Sequence, residues 1–421
     1  MGNVFKFLLE RGFVDCITGE NLTKDSIAPI KAYVGFDPTS DSLHLGNLVG
    51  IIALKWLEKF GHTAVVLLGG ATARIGDPSG KSTERPLLSS SEIKKNTLAI
   101  EKQVSRLFDK PLILNNENWH SGFFLIDFLR DVGKHFRMGP MLSKESVKSR
   151  INSEEGMSFT EFSYQIFQGY DFLHLNKEFG VSVQIGGSDQ WGNIIAGIDF
   201  ARKKSYSNLH GATFPLLTTG DGKKFGKSEK GAIWLDPQKT SPYHFYQHLY
   251  AVNDHDVIRL MKMLTFMESS EIKAYEEAFK AGKITPNAAQ KKLAEEVTRF
   301  VHGEEGLNQA LQQTKVSQPG KIQKLDYAAI QELAKNMPII SLPQIDIIGL
   351  KFSEIVCKIG LTKSRSEGVR LIENNGAYLN NERITDPHYT IENDCILGGE
   401  YLLLGSGKKK KILVKIEKEF D

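Results

Sequence analysis

Two polar segments of the chain combine residue types that bind phosphate groups. His44, Gly46 and Asn47 stand in the sequence His-Leu-Gly-Asn, just after the polar loop 37–42. The glycine-flanked segment 223–228 reads Lys-Lys-Phe-Gly-Lys-Ser. His44 and Asn47 are three residues apart at the start of a predicted helix, so we expect them to share one face of its first turn, where the helix N-terminus favours anions. Clustered lysines on a glycine-rich loop suit a polyphosphate. Together the two segments predict a nucleotide site.

Each segment also has a simpler interpretation. The first fits any strand–helix unit whose helix begins near a histidine, and the second fits a solvated basic loop. The chain contains neither a G-x-S-x-G nor an H-E-x-x-H pattern. The sequence therefore does not indicate a serine nucleophile or a zinc-bound water.

Apolar runs precede and follow the first segment and predict the framework that positions it. These runs are 32–36, 64–68, 112–114, 181–185 and 213–217. Their apolar residues are continuous, which is typical of strands buried on both faces. With helical patterns between them, they predict an α/β fold with a doubly wound parallel, Rossmann-like sheet.

Two further polar groups follow this framework. Tyr164, Gln168 and Asp171 are spaced four and three apart and lie on one helix face, although plain amphipathicity also produces such a stripe. Asp189 and Gln190 follow two glycines at the end of a predicted strand, where they could bind ribose hydroxyls or a reacting carboxylate.

Bulk properties limit the function classes. A chain of 421 residues predicts two or three domains, and its net charge of +3 confines any nucleic-acid contact to a local surface. Its three scattered cysteines form neither a metal-binding pattern nor a disulfide framework, which fits a reducing compartment. We expect no membrane span and no signal peptide, and hence a cytoplasmic protein.

Five stretches of the chain form a distinctive set: YVGFDPTSDSLHLGN, GGATARIGDPSGK, FTEFSYQIFQGYDF, QIGGSDQWGN and KFGKS. Together they resemble the bacterial-type tyrosyl-tRNA synthetases, which are class I aminoacyl-tRNA synthetases. The resemblance covers nearly the whole chain. Asn47 stands where the family often has a second histidine, and an amide can donate a hydrogen bond as a neutral imidazole does.

The resemblance implies ATP-dependent activation of tyrosine to tyrosyl-adenylate, then transfer to the terminal ribose of tRNA. ATP would arrive with Mg²⁺ held mainly by its phosphates, and no zinc is expected. The implied catalytic residues are His44, Asn47, Thr39, Lys224 and Lys227, with Lys81 and Arg85 as weaker candidates. The implied tyrosine-binding residues are Tyr33, Asp77, Tyr164, Gln168, Asp171 and Gln190. The implied ATP-binding residues are Asp37, Gly46, Gly187, Asp189, Lys224, Lys227 and Ser228.

The domain organisation follows from the same patterns. We predict a catalytic domain at 1–220 with a subunit-interface insert at about 117–174, the KFGKS loop at 221–239, an all-helical anticodon-side domain at 240–315, a connector at 316–348 and a small α+β RNA-binding module at 349–421. The insert implies a homodimer. Basic residues of the module could contact phosphates, although solvated surface charge is the alternative: Lys358, Lys363, Arg365, Arg370, Arg383 and the run 408–411.

Three rival functions stay open at this point. A tryptophanyl-type synthetase shares the fold and both sequence signatures, but its amino acid has no phenol hydroxyl that a Tyr33–Asp171 pair could bind. A small-molecule nucleotidyltransferase would not need residues 240–421. A synthetase-derived RNA-binding or splicing accessory protein would not need the catalytic set around His44 and Lys227.

Overall fold

Two sheets dominate the computed structural model, which describes residues 2–80, 83–206, 208–218, 225–228, 231–316, 327–334, 337, 339–407 and 410–417. The chain divides into two compact units. The first comprises Met1–Lys239 and Asn253–Val297, and the second comprises Thr240–Val252 and Thr298–Asp421. The segment 240–315, predicted as one helical domain, contributes to both units. The predicted domain boundaries stay predictions.

The first unit contains a six-stranded sheet in the order β1-β6-β5-β2-β3-β4. Its strands are β1 (Cys16–Ile17), β2 (Lys31–Phe36), β3 (Thr63–Leu68), β4 (Leu112–Asn115), β5 (Val183–Gly187) and β6 (His210–Phe214). All neighbours pair in parallel except β1, which runs antiparallel to β6. The prediction of a doubly wound parallel sheet is confirmed, and β1 is an antiparallel edge strand that the sequence did not predict.

The strand order fixes where a ligand can bind. From β2 the chain moves outward to β3 and β4, and from β5 it moves outward in the opposite direction to β6. The pair β2 and β5 is therefore the point at which the winding reverses. Crevices at the carboxyl ends of such strands are the usual ligand sites of open α/β sheets.

The helices of the first unit cover this sheet or extend from it. They are α1 (Val4–Glu10), α2 (Leu48–Lys59), α3 (Ser90–Ser105), α4 (Glu117–His120), α5 (Leu125–Asp131), α6 (Met138–Leu142), α7 (Glu145–Ile151), α8 (Phe159–Phe179), α9 (Trp191–Lys203), α11 (Asp254–Leu264) and α12 (Ser269–Lys280). Two short strands, β7 (Lys227–Ser228) and β8 (Gly231–Ala232), pair with each other in antiparallel orientation.

Local sequence explains the two helices that matter most for the cleft. Helix α2 buries a continuous apolar face from Leu48 to Leu57 against the sheet. Helix α8 begins where the Ser158 side chain accepts from the Glu161 N–H, and ends at Gly180 in the left-handed conformation. Its 21 residues begin within the predicted insert and lead the chain back to strand β5.

The second unit contains α10 (Pro242–Tyr250), the later part of α13 (Ala288–Val316) and the C-terminal residues. Helix α13 is interrupted at Gly303, whose φ of 72° is not helical. The C-terminal helices are α14 (Tyr327–Ala334), α15 (Phe352–Lys358) and α16 (Arg365–Glu373).

A five-stranded sheet completes the second unit in the order β11-β10-β12-β13-β9. The strands are β9 (Ile339–Pro343), β10 (Ala377–Leu379), β11 (Glu382–Arg383), β12 (Tyr401–Ser406) and β13 (Lys410–Glu417). Asn380 and Asn381 both have positive φ and close the β10–β11 hairpin, as a two-residue turn of this type requires. The small α+β module predicted here is therefore present.

Candidate active site

A cavity of about 380 Å³ opens at the carboxyl ends of β2 and β5 in the first unit. Most of the predicted site residues line it. They are Tyr33, Asp37, Thr39, His44, Gly46, Asn47, Asp77, Tyr164, Gln168, Asp171, Gly187, Asp189 and Gln190. Lys81 and Lys224 lie outside the described residues, and Lys227 and Ser228 are described only through the backbone of β7. A cavity of this volume accommodates a small ligand.

Tyr33 and Asp171 form the deep end of the cavity. Tyr33 is 1% exposed, and within the described part of the chain its hydroxyl has no hydrogen-bond partner. Burial, reinforced by the Asp171 carboxylate, raises the pKa of Tyr33 well above its ordinary value. The hydroxyl therefore stays protonated and can donate to a ligand oxygen.

The Asp171 carboxylate is held by three side chains from one turn. The Asn116 Nδ2 donates to Oδ2 at 3.0 Å, and the Trp119 Nε1 donates to Oδ1 at 2.8 Å. The His120 Nε2 lies 2.7 Å from Oδ1. The sequence did not predict these partners, because segment 116–120 carries no recognisable motif and lies more than 50 residues from Asp171.

A second polar group lies nearer the cavity mouth and involves both glutamines of the predicted set. The Gln190 Nε2 donates to the Asp77 Oδ2 at 2.7 Å, and the Gln168 Nε2 donates to the Gln190 Oε1 at 3.1 Å. The Gln168 Oε1 is buried and, among the described residues, has no hydrogen-bond partner. The Tyr164 hydroxyl donates to Asp37, so its lone pairs can accept. Asp77, Tyr164 and Gln168 thus offer acceptors to a cationic group.

Asp37 contacts this polar group through the Tyr164 hydroxyl. Its Oδ1 accepts from the Thr72 hydroxyl at 2.7 Å and its Oδ2 accepts from the Tyr164 hydroxyl at 2.9 Å. A Cβ on Gly69 would lie 2.0 Å from Asp37 Oδ1, so this glycine leaves room for the carboxylate. Burial, with the nearby Asp77 charge, outweighs the hydrogen bond from Thr72 and raises the pKa of Asp37 to about 6.

The predicted positions of His44 and Asn47 on the first helical turn are wrong in detail. Helix α2 begins at Leu48, so both residues lie in the preceding turn, with Asn47 as the cap. The His44 N–H donates to the Asn47 Oδ1 at 3.0 Å, and the Gly46 N–H donates to the His44 Nδ1 at 3.1 Å. Since Nδ1 accepts, a neutral His44 carries its proton on Nε2, which can donate to an anion.

Gly226, in the lysine-rich segment, adjoins this turn. Phe225 and Gly226 line the cavity, and a Cβ on Gly226 would lie 3.0 Å from the Gly46 N. The Leu45 N–H donates to the Ile233 oxygen at 2.8 Å, and His44 forms an isolated bridge with Trp234. Residues 233–235 therefore attach the lysine-rich segment to the start of α2, a contact that the sequence did not predict.

The two glycines that end β5, Gly186 and Gly187, are required by close packing. A Cβ on Gly186 would lie 2.9 Å from Gln190 Cβ, and a Cβ on Gly187 would lie 2.6 Å from Asp189 Oδ1. Any larger residue would displace the two side chains predicted to contact a ribose or a carboxylate. Arg85 also lines the cavity, and its Nε donates to the Asp77 backbone oxygen at 3.1 Å.

Among the described residues, no cluster of three or more histidines, cysteines or acidic residues has the arrangement of a metal site. Over the same residues, none of the helices has the length and apolar character that a bilayer span requires.

Comparison with known proteins identifies the family of the chain. Residues 25–316 match the family model of class I tRNA synthetases for W and Y, and residues 329–414 match the tyrosine–tRNA ligase SYY-like C-terminal domain. The tyrosine–tRNA ligase of Protochlamydia amoebophila is 50% identical over 100% of both chains. The chloroplastic/mitochondrial enzyme of Arabidopsis thaliana is 48% identical over 98% of this chain and 84% of its own.

A solved structure gives the same result for the fold. The C-terminally truncated mitochondrial tyrosyl-tRNA synthetase of Aspergillus nidulans is 32% identical, with a TM-score of 0.67 over 74% of this chain and 93% of that chain. The fold and site thus define a class I aminoacyl-tRNA synthetase. Within that class, the chain belongs to the tyrosine–tRNA ligase family.

Proposed function

We propose that the cavity binds tyrosine with its phenol at Tyr33 and Asp171 and its ammonium group at Asp77, Tyr164 and Gln168. The observation that carries this proposal is a pair of buried polar atoms without described partners, the Tyr33 hydroxyl and the Gln168 Oε1. The first can donate to a phenol oxygen, and the second can accept from an ammonium group. Buried polar atoms that lack protein partners are costly unless a ligand satisfies them.

Activation of tyrosine then requires positioning and charge stabilisation. The tyrosine carboxylate attacks the α-phosphorus of ATP, a P–O bond forms, and the bond to pyrophosphate breaks. The His44 Nε2–H, the Asn47 amide and the N-terminus of α2 donate to the phosphates as negative charge shifts to pyrophosphate. We assign Lys224 and Lys227 to pyrophosphate, and Asp189 with Gln190 to the ribose and the reacting carboxylate.

Transfer to tRNA follows on the same site. A hydroxyl of the terminal ribose attacks the aminoacyl carbonyl, and AMP leaves with the electron pair of the broken bond. Neither step needs a side-chain nucleophile, which fits a cavity lined by donors and acceptors.

We expect magnesium to enter this site as a complex with ATP. The carboxylates of Asp37 and Asp77 are already engaged by Thr72, Tyr164 and Gln190. We therefore assign Mg²⁺ to the nucleotide phosphates, where it supplies positive charge.

Amino-acid-dependent ATP–pyrophosphate exchange tests the proposal. Tyrosine is expected to support exchange, while tryptophan and phenylalanine are expected to fail at the same concentration. Exchange with tryptophan in preference to tyrosine would favour the tryptophanyl-type alternative, and no exchange with any amino acid would favour an accessory RNA-binding protein.

We also propose a homodimer that forms through the insert. Eight large apolar side chains between residues 124 and 159 are exposed: Phe124, Leu125, Ile126, Leu129, Met138, Leu142, Ile151 and Phe159. Large apolar side chains that are exposed together typically mark protein–protein interfaces. Ile126→Glu is expected to convert the dimer into a monomer in analytical ultracentrifugation. Leu98→Glu, at an exposed apolar residue outside the insert, is the matched control.

We further propose that the C-terminal module contacts tRNA phosphates. Lys358 and Arg365 are paired with Asp346 and Glu354, so we assign the contact mainly to exposed Lys363 and Arg370. Changing both to alanine is expected to weaken tRNA binding and to reduce the salt slope by roughly 0.7–0.9 per lost contact, with unchanged pyrophosphate exchange. Unchanged tRNA affinity and salt dependence would contradict this assignment.

The proposed compartment is the cytoplasm or another reducing one. All three cysteines are free thiols. Thiols remain reduced in such compartments.

A further inference from the structure

The His120 side chain lies directly behind the phenol end of the cavity. It is the last residue of α4, and its Nε2 lies 2.7 Å from the Asp171 Oδ1. The His120 and Asp171 side chains are only 4% and 2% exposed. Because a carboxylate oxygen without a proton can only accept, the His120 Nε2 is the donor in this contact.

This contact completes the set of donors that orients the carboxylate. An ionised carboxylate has about four acceptor positions. Trp119 and His120 both donate to Oδ1, whereas Asn116 alone among the described side chains donates to Oδ2. One acceptor position of Oδ2 is therefore left for a ligand hydroxyl. Without His120, Oδ1 would lose one of its two donors.

The surroundings of the His120 imidazole indicate that its hydrogen-bond partner is Asp171. Aromatic rings of Phe128, Phe167 and Tyr170 lie 5.2–6.4 Å from the His120 ring and fix its plane. Within the described chain, the His120 Nδ1 has no hydrogen-bond partner. The ring therefore makes one described hydrogen bond, and that bond goes to the carboxylate proposed to bind the phenol.

We propose that His120 is a positioning residue that sets the preference for tyrosine over phenylalanine by orienting Asp171. This inference rests on the proposed function of the cavity. The phenol of tyrosine uses the acceptor position that the three donors leave open on Asp171. Phenylalanine has no hydroxyl, so its activation does not depend on the orientation of that carboxylate.

The test compares two replacements of His120. His120→Phe keeps a flat ring among the aromatic neighbours but removes the donor, whereas His120→Gln keeps a donor that reaches about as far as Nε2. For His120→Phe, we expect kcat/KM for tyrosine to fall about tenfold, the effect of losing one hydrogen bond to a charged group. The KM for tyrosine should carry most of this change, and the KM for ATP should not move.

The ratio of kcat/KM for tyrosine to kcat/KM for phenylalanine shows whether His120 orients Asp171 or only packs against its neighbours. We expect His120→Phe to lower this ratio about tenfold, and His120→Gln to restore most of it. His174→Phe is the matched control, because His174 stacks on Trp119 at 4.4 Å and makes no described hydrogen bond to Asp171. The control is expected to keep the wild-type ratio.

Several results would overturn the inference. They are an unchanged ratio in His120→Phe, an equal loss for both amino acids, an equal loss in the His174→Phe control, or no recovery in a folded His120→Gln. If His120→Phe does not fold, His120→Leu removes the same donor and serves in its place. A wild-type protein that does not prefer tyrosine would instead contradict the proposed function, so the two failures are distinguishable.

Discussion

The Tyr33→Phe variant separates recognition of the substrate from stability of the free protein. In the described structure the Tyr33 hydroxyl is buried and donates to no protein group. Its removal therefore breaks no protein–protein hydrogen bond, and the free energy of unfolding should not fall. We expect it to stay constant or to rise by up to ~1 kcal/mol, because an unpaired buried hydroxyl is unfavourable.

Catalysis should respond in the opposite direction. A neutral hydrogen bond to the substrate phenol contributes roughly 0.5–1.5 kcal/mol, which corresponds to a loss of roughly 2- to 13-fold in kcat/KM for tyrosine. Phenylalanine lacks the phenol oxygen and should be activated as before. The discrimination between the two amino acids should therefore narrow by the same factor.

Tyr164→Phe is the matched control for this measurement. Its hydroxyl donates to Asp37 Oδ2 at 2.9 Å and is assigned to the ammonium group, which tyrosine and phenylalanine share. The control should reduce activation of both amino acids equally and should destabilise the free protein by about 1–2 kcal/mol. Pyrophosphate exchange and urea unfolding measure both effects. An unchanged tyrosine-to-phenylalanine ratio in Tyr33→Phe would refute the assignment of the phenol end.

Three other perturbations give distinct expectations. Below a pH of about 6, protonation of Asp37 weakens the acceptor that holds the Tyr164 hydroxyl, so kcat/KM for tyrosine should fall on the acid side. Because the pKa of Asp37 is raised in the folded state, this residue stabilises the folded protein below about pH 4, and the stabilisation is lost as the pH rises through about 6. A pH profile that is flat between 5 and 7 would contradict this. Lys227→Ala should lower the single-turnover rate of tyrosyl-adenylate formation much more than tyrosine affinity, because its contact with pyrophosphate develops in the transition state; an unchanged rate would contradict it. Arg150→Met leaves the buried Glu161 carboxylate without its paired guanidinium, now at 2.8 Å, and should cost about 3–5 kcal/mol in urea unfolding; a loss below about 1 kcal/mol would show that the pair contributes little.

Much of the sheet could be predicted because its strands are buried on both faces. Continuous apolar runs marked β2, β3 and β4 to within one residue, whereas β5 and β6 were displaced by two or three residues. For β6, the cause is that apolar residues continue past the end of the strand at Leu216 and Leu217, which line the cavity. The edge strand β1 has two residues, too few for any periodicity.

For the cavity, too, local sequence patterns were predictive, whereas contacts between distant residues were not. Helical spacing was enough to bring Tyr164, Gln168 and Asp171 to one face, and they do line one cavity. The partners of Asp171 come from a turn about 50 residues earlier, and hydrogen bonds across such a distance depend on the tertiary fold. The turn before α2 was misassigned as helix because Asn47 bonds back to His44, which delays the helix start.

The most direct test of the proposed tyrosine site is a crystal structure of the protein with a non-hydrolysable tyrosyl-adenylate analogue. We expect the phenol oxygen to lie within hydrogen-bond distance of the Tyr33 hydroxyl and Asp171 Oδ2, and the ammonium group to lie beside Asp77, Tyr164 and Gln168. A phenol bound elsewhere in the cavity, or a reversed ligand with its ammonium group at Asp171, would contradict it.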